Sequence, residues 1–347
     1  MKSNDTIPFF DSRMERREFL RTLGLTGAGI LLGSPLARVL ASDYPLTKSG
    51  QVPVRKFGRH DLMLPTLGLG GHALGVASDD QAALMIDAAI ELGATFLDNA
   101  WDYHGGRSEE LMGKLIDGRR DRFFLMTKVC THDAADDYAM AMRMLDESLK
   151  RLRTDHLDLW QWHAVSSLDQ VKKGFGSKGV VDALFDAKKQ GKVRFVGFTG
   201  HTHPDVLLAV LKEKAPFDAS QIPISPIEAN SDAFVRRVLP ELIKQEIAPL
   251  AMKTLGGNFA PVKDQIFSLN EGLQYAWSHP ITTVISGVTT VDQLRQNAAL
   301  AAAFQPMAPD QMLALEDRVV PATDSNRFQP YRNWMSYRDG DSTQMTA

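Results

Sequence analysis

From Gly50 onward, short apolar runs alternate with amphipathic stretches. The apolar runs are LPTLGLGG (64–71), TFLDNA (95–100), RFFLMTKV (122–129), LDLWQWH (157–163), VRFVGFTG (193–200), SQIPISPI (220–227), APLAMKTL (248–255) and TTVISGV (282–288). Each is nearly continuous in apolar residues, as expected of strands covered on both faces of a parallel sheet. Between them, SDDQAALMIDAAIELG (78–93) opens on Ser/Asp capping chemistry and closes on Gly93, and 136–153 and 180–192 repeat apolar residues at helical spacing. Eight such units over about 250 residues predict an α/β fold of the (β/α)8, or TIM-barrel, type. Ahead of them, VRKFGRHDLMLP (54–65) predicts a β-hairpin turning at residues 58–61, an N-terminal plug for one end of the barrel. The barrel is expected over 50–320, with a polar tail over 321–347.

A doubly wound nucleotide-binding fold competes at one place. GLGGHA (68–73) fits G-x-G-x-x-A, and Asp98 ends the following strand. In that motif the third small residue already lies in the helix, whereas helix-capping residues here arrive at Ser78, Asp79 and Asp80. The later strands would also lack a second half. One barrel domain is the better account.

Composition narrows the partners. The 347 residues are 44% hydrophobic and 23% charged, with a net charge of −3 and no basic stripe, which argues against nucleic acid. Cys130 is the single cysteine, so neither a disulfide framework nor a Cys-based zinc site is expected. Residues 1–41 resemble a twin-arginine signal peptide, with Arg16-Arg17 and Phe19-Leu20 ahead of a Gly/Leu/Ala stretch and Val39-Leu40-Ala41 at the cleavage position. The apolar stretch is too short and glycine-rich to span a bilayer, so no stable membrane insertion is expected of the mature chain. The resemblance implies the twin-arginine export machinery as a partner and a periplasmic location, with a cytoplasmic pool if export is inefficient.

The chemistry-bearing residues stand at strand ends, where the sites of such barrels lie. FLDNAWDYHGGRSEELMG (96–113) delivers Asp98 and Tyr103 into a glycine-rich turn; Lys128 ends the third run and His163 the fourth. A phenol, with an unperturbed pKa near ~10, becomes a usable acid at neutral pH beside a cation. Lys128 supplies that cation, Asp98 holds it by ion pairing, and His163 can hydrogen-bond a carbonyl oxygen from the other side. Such a tyrosine protonates a carbonyl as hydride arrives at its carbon, and hydride donors are cofactors. Ser108-Glu109 reads as a helix start, and Trp101, Trp160 and Trp162 as apolar walls. His104 is expected at the substrate mouth and Cys130 as packing. His201 and His203 lack a third ligand, so no metal is expected.

From about residue 52 to residue 302 the chain resembles the aldo-keto reductase family, through FLDNAWDYHGGRSEELMG, MTKV, LDLWQWH, GKVRFVGFTGH and VISGVTTVDQLRQN in that order. The resemblance implies a catalytic tetrad of Asp98, Tyr103, Lys128 and His163, a nicotinamide cofactor and a carbonyl or sugar hemiacetal substrate. It carries cofactor contacts to Thr199, Gly200 and Gln221 at the nicotinamide and to Met252, followed by Lys253, in the seventh run. Gly256, in the Gly256-Gly257-Asn258 turn, would lie over the pyrophosphate. Gly287, Gln293, Gln296 and Asn297 would meet the adenosine. Thr199-Gly200 replaces the usual Ser-Asn, and Met252 a stacking tyrosine. Gln293 replaces the arginine that holds a 2′-phosphate in NADPH-preferring members, so NAD(H) stands as the alternative to NADP(H). Two rival functions remain: a nicotinamide-binding regulatory subunit without turnover, and a lyase forming a Schiff base on Lys128.

Overall fold

The computed structural model describes residues 51–228, 233–322 and 327–332; the signal-like segment 1–41 lies outside them. The hairpin pairs β1 (Val54–Lys56) with β2 (Met63–Pro65) in antiparallel register, Val54 opposite Pro65 and Lys56 opposite Met63. Eight parallel strands then close a barrel: β3 (Leu67–Gly70), β4 (Phe96–Asp98), β5 (Phe124–Val129), β6 (Leu157–Trp162), β7 (Val193–Thr199), β8 (Ala219–Pro223), β9 (Ala248–Met252) and β10 (Thr283–Ser286), with β10 returning to β3. The barrel and its plug are as the apolar runs predict. The run 64–71, however, is not one strand. It breaks at Thr66, its first residues completing the hairpin, its middle forming β3 and its last glycine opening the helix Gly71–Val76. That helix starts before the capping residues at 78–80, so it is barrel closure, not helix register, that excludes the doubly wound alternative.

Two apolar layers follow from the two-residue period of the strands. Phe96, Phe124, Met126, Leu159, Ala219, Leu250 and Ile285 point inward and meet Phe57 and Leu64 of the hairpin in one cluster. Their neighbours in sequence, including Leu97, Leu125, Trp160, Trp162, Val196 and Ala251, face outward into the larger layer beneath the helices. Trp160 and Trp162 thus supply apolar walls between sheet and helices and face away from the barrel interior. The helix Asp79–Leu92 begins and ends as predicted, with Gln81 N–H donating to the Ser78 hydroxyl at 3.3 Å and Gly93 leaving the helix at φ 75°.

The plug is tied down by charge as well as by Phe57. Arg55 donates to the carbonyls of Trp277, His279 and Ile281 at 2.6, 3.1 and 3.0 Å. Asp218, fully buried before β8, gathers Arg59 at 2.6 Å, His60 at 2.8 Å and Lys188 at 2.6 Å, and accepts the Val196 N–H at 2.9 Å. The expected polar tail at 321–347 is partly otherwise. Within 327–332, Phe328 and Tyr331 are buried, Tyr331 donates to Glu228, and Gln329 donates to the Ile227 carbonyl at 2.7 Å. This strap packs because Phe328 joins the apolar layer beneath the helices while Tyr331 meets Glu228 and the His201 ring.

Removing the Asp218 carboxylate would leave Arg59, Lys188 and the Val196 N–H without their shared acceptor at the closed end of the barrel. Asp218→Ala is expected to destabilise the chain by about 3–5 kcal/mol, a fall in thermal midpoint on the order of 6–20 °C, read by differential scanning calorimetry.

Candidate active site

Strand parity builds the site before any loop does. Counting inward positions upward from the plug gives Phe96 then Asp98 on β4, Phe124, Met126 then Lys128 on β5, and Leu159, Gln161 then His163 at the end of β6. Asp98, Lys128 and His163 therefore cap the apolar interior at its C-terminal mouth. All are nearly inaccessible: 3%, 1% and 6% exposed. Lys128 Nζ lies 2.5 Å from Asp98 Oδ1, 2.7 Å from the Asn99 carbonyl and 3.3 Å from the Tyr103 hydroxyl. Burial raises the Asp98 carboxyl above its ordinary range, and the adjacent ammonium opposes that shift.

Tyr103 reaches the pair because the loop after β4 is held from several sides. Trp101 N–H donates to the Lys128 carbonyl at 3.1 Å, and Tyr103 N–H to that of Ala100 at 3.2 Å. Arg151 donates to the Trp101 carbonyl at 2.9 Å and to Glu109 at 3.2 Å, and the indole of Trp101 donates to Glu147 at 2.7 Å. Glu109 is more than the helix start read from the sequence. It is fully buried and also accepts from Thr127 on β5 at 2.6 Å. Gly106, at φ 93°, lies where a Cβ would strike the Arg151 guanidinium, so this turn accepts no larger residue.

Burial keeps His72 and His163, which flank the phenol, neutral. The Tyr103 ring meets His163 and His72 edge-on, at centroid distances of 5.8 and 5.1 Å. Burial pushes His163 down to about 3; Asp102 opposes this and Lys128 adds to it. Burial, with His104 and Lys253 nearby, also takes His72 to about 3. His104 accompanies His72, its Nε2 being 2.9 Å from the His72 carbonyl. On the far side of His163, Nδ1 is 3.1 Å from Cys130 Sγ and 3.7 Å from Asp102 Oδ1, and Asp102 Oδ2 is 3.7 Å from His132 Nε2. Burial alone would raise Asp102, but His132, His163 and Cys130 outweigh it and hold the carboxyl well below its usual range. Burial and the Asp102 charge push the Cys130 thiol far up.

Asp98 and Tyr103 open into a cavity of about 270 Å³. Its lining also includes Gln221, Met252, Lys253, Thr254, Gly257 and Gly287, together with Gln293, Gln296 and Asn297. Seven of the ten residues proposed for the cofactor thus line one trough with the tetrad's carboxylate and phenol. The other three are engaged elsewhere. The Thr199 hydroxyl accepts the Ala164 N–H at 2.9 Å, a Cβ on Gly200 would strike Leu207, and Gly256 packs on Pro261. Gln293 turns back to accept the Thr289 N–H at 2.9 Å, and Asn297 donates to the Ser286 hydroxyl at 2.8 Å. His72, Asn99, Asp102 and Ser286 were not singled out by sequence; only their position at or just past a strand end signals them. His201 and His203 lie in the loop after β7, not on a strand face.

The model of the "Aldo/keto reductase family" matches residues 66–268, and the chain belongs to that family. It is 26% identical over 284 residues to an uncharacterized oxidoreductase, YqkF, of Bacillus subtilis, covering 71% of this chain and 90% of that one. It is 25% identical over 298 residues to L-galactose dehydrogenase of Arabidopsis thaliana, covering 75% and 92%. Among solved structures, the holo form of aldo-keto reductase AKR11C1 from Bacillus halodurans superposes with a TM-score of 0.64 at 22% identity, covering 77% of this chain and 96% of that one. Members of the family are generally NAD(P)-dependent oxidoreductases, and the lining of the trough fits such a cofactor: it joins Asp98 and Tyr103 to residues at the start of the helix Val291–Ala302, and it includes the cation Lys253.

Buried neutral histidines have a consequence for stability. His279, well away from the mouth, is buried against Tyr275 at 4.8 Å, and burial lowers it to about 3. Above pH ~6.5 both folded and unfolded forms are neutral there; below it only the unfolded chain takes the proton, so stability falls as pH drops from ~6.5 toward 3. His279→Phe should flatten that decline by about 1.4 kcal/mol per pH unit, measured by denaturant unfolding at stepped pH.

Proposed function

We propose that this chain is a nicotinamide-dependent carbonyl reductase, working in reverse on alcohols or sugar hemiacetals, with Tyr103 as the group that exchanges a proton with substrate oxygen. The observation that carries this reading is the buried Lys128 Nζ, held between Asp98 at 2.5 Å and the Tyr103 hydroxyl at 3.3 Å, both residues lining the trough. A nicotinamide held along the trough would, when bound, supply the hydride for the carbonyl carbon. Tyr103 gives its phenolic proton to the oxygen as negative charge develops there, and the ammonium beside it stabilises the phenolate left behind. Asp98 balances that ammonium. His163, neutral, donates a hydrogen bond to the same oxygen without competing for the proton.

Several features support the cofactor assignments. Gln221 and Met252 would bound the nicotinamide, Lys253 and the Gly257 turn the pyrophosphate, and Gln296 and Asn297 the adenosine. The lyase is disfavoured because all three N–H groups of a Lys128 ammonium have acceptors within 3.3 Å, whereas an imine-forming lysine needs an unprotonated nitrogen. A complete proton-donating group disfavours a purely regulatory role. The relatives named for L-galactose and for 6-dehydroglucose, the latter 32% identical over 235 residues, support a polyhydroxylated substrate. If residues 1–41 direct twin-arginine export as proposed, the cofactor would be loaded before translocation and act in the periplasm.

Tyr103→Phe should lower kcat/KM by about 10²–10⁴-fold in nicotinamide oxidation with an aldehyde panel, while cofactor binding, followed by quenching of protein fluorescence, stays intact. Turnover retained in this variant would remove the proposed role. No arginine is among the described residues lining the trough, and Arg295 pairs outside it with Glu91 at 2.9 Å. NADPH and NADH should therefore differ in Kd by less than about tenfold (~1.4 kcal/mol), by isothermal titration.

A further inference from the structure

Behind the imidazole proposed to face substrate, three donors of different chemistry converge. Asp102 comes from the loop after β4, Cys130 from the residue after β5 and His163 from the residue after β6, so adjacent strand ends bring them together. The imidazole Nδ1 is 3.1 Å from the sulfur and 3.7 Å from Asp102 Oδ1, and the three donor atoms all lie within 4.8 Å of one another. At 3.7 Å the carboxylate oxygen is beyond hydrogen-bonding distance of the ring nitrogen, although that oxygen atom is itself buried. Tetrahedral zinc with sulfur at 2.3 Å and nitrogen or oxygen near 2.0–2.1 Å places its donors about 3.3–3.6 Å apart. Adjustments of a few tenths of an ångström to about one ångström bring this trio to that spacing.

We propose that Asp102, Cys130 and His163 form a site for a borderline-soft divalent transition metal, Zn²⁺ being the ion that suits thiolate, imidazole and carboxylate together. A carboxylate and a thiolate balance the two positive charges. The nearest ammonium, Lys128, is already matched by Asp98. Three protein donors leave a fourth position open, and His132, 3.7 Å from the second oxygen of Asp102, is the nearest further nitrogen in the cluster. The absence of other cysteines, which argued against a Cys-based site in the sequence, does not bear on a site that needs only one. If His163 faces substrate as proposed above, metal on Nδ1 leaves Nε2 as its only N–H donor and makes that donor stronger. The site itself stands independently of that reading.

Cobalt tests this without turnover. The full chain, stripped with a chelator, is titrated with Co²⁺ and followed by absorbance. The expected result is one Co²⁺ per chain with intense visible bands of tetrahedral cobalt and a thiolate-to-cobalt charge-transfer band, both lost on adding Zn²⁺ and unaffected by Mg²⁺. Cys130 is the sole cysteine, so the charge-transfer band has one source. Asp102→Asn should weaken binding at least about tenfold with an unchanged far-ultraviolet circular dichroism spectrum. Tyr103→Phe should bind Co²⁺ like the wild type, which separates this site from the proposed reaction. A wild-type titration with no charge-transfer band, or one that saturates only with weak octahedral-type bands, overturns the proposal whether or not any variant folds.

Discussion

Taking a lysine ammonium out of water is unfavourable by several kcal/mol unless a counter-charge and hydrogen-bond acceptors replace the solvent. Lys128 is 1% exposed, and Asp98, the Asn99 carbonyl and the Tyr103 hydroxyl are its replacements. Much of the surrounding structure keeps those acceptors in place. Glu109 ties the following helix to Thr127, the residue before Lys128, and Arg151 grips both Glu109 and the loop that carries Tyr103. A buried pair lacking one member is strongly destabilising, so the same contacts that place the phenol also keep the mouth of the barrel folded.

The two ends of the barrel solve opposite problems. At the closed end the hairpin lays Phe57 across Phe124 and Phe195, at centroid distances of 5.6 and 5.1 Å, and rings Asp218 with cations. Nothing there faces the trough, and its work is stability. At the open end the inward positions turn polar within one strand, from Met126 to Lys128 and from Leu159 through Gln161 to His163. This division, with bulky apolar layers below and reactive groups above, is what the (β/α)8 architecture permits.

The strands and the placement of Asp98 and Lys128 at the barrel mouth were legible in the sequence for the same reason. A polar residue ending a continuous apolar run must lie at a strand end, and its parity with the apolar residues before it says that it faces inward. Asp98 and Lys128 satisfy both conditions. Trp160 and Trp162 have the opposite parity to His163, and that is why they pack under helices instead of lining the site. The break at Thr66 was hidden because hairpin and barrel residues are equally apolar across it. The strap that buries Tyr331 against Glu228 joins residues far apart in the chain, and no local period encodes such a contact. The Asp102–Cys130–His163 cluster was hidden in the same way. Each member looked ordinary in its own loop, and only closure of three neighbouring strands brings the donors within reach.

The charges at the mouth can now be taken together. Lys128 is matched by Asp98, while Asp102 is held as an anion by His132, His163 and Cys130. His72 and His163 remain neutral. A carbonyl oxygen entering between Tyr103 and His163 therefore meets hydrogen-bond donors and no uncompensated negative charge. When that oxygen gains charge, the proposed response is local: the phenol releases its proton, and the ammonium 3.3 Å away is already oriented toward the phenolate that results. Little reorganisation is required, because the groups that must answer the charge are fixed before it appears. Lys253, which also lines the trough, is instead the cation proposed for the phosphates of a dinucleotide. On the proposed reading the buried Lys128 would serve proton transfer and Lys253 binding, a division that matches one being enclosed at a strand end and the other lining the channel.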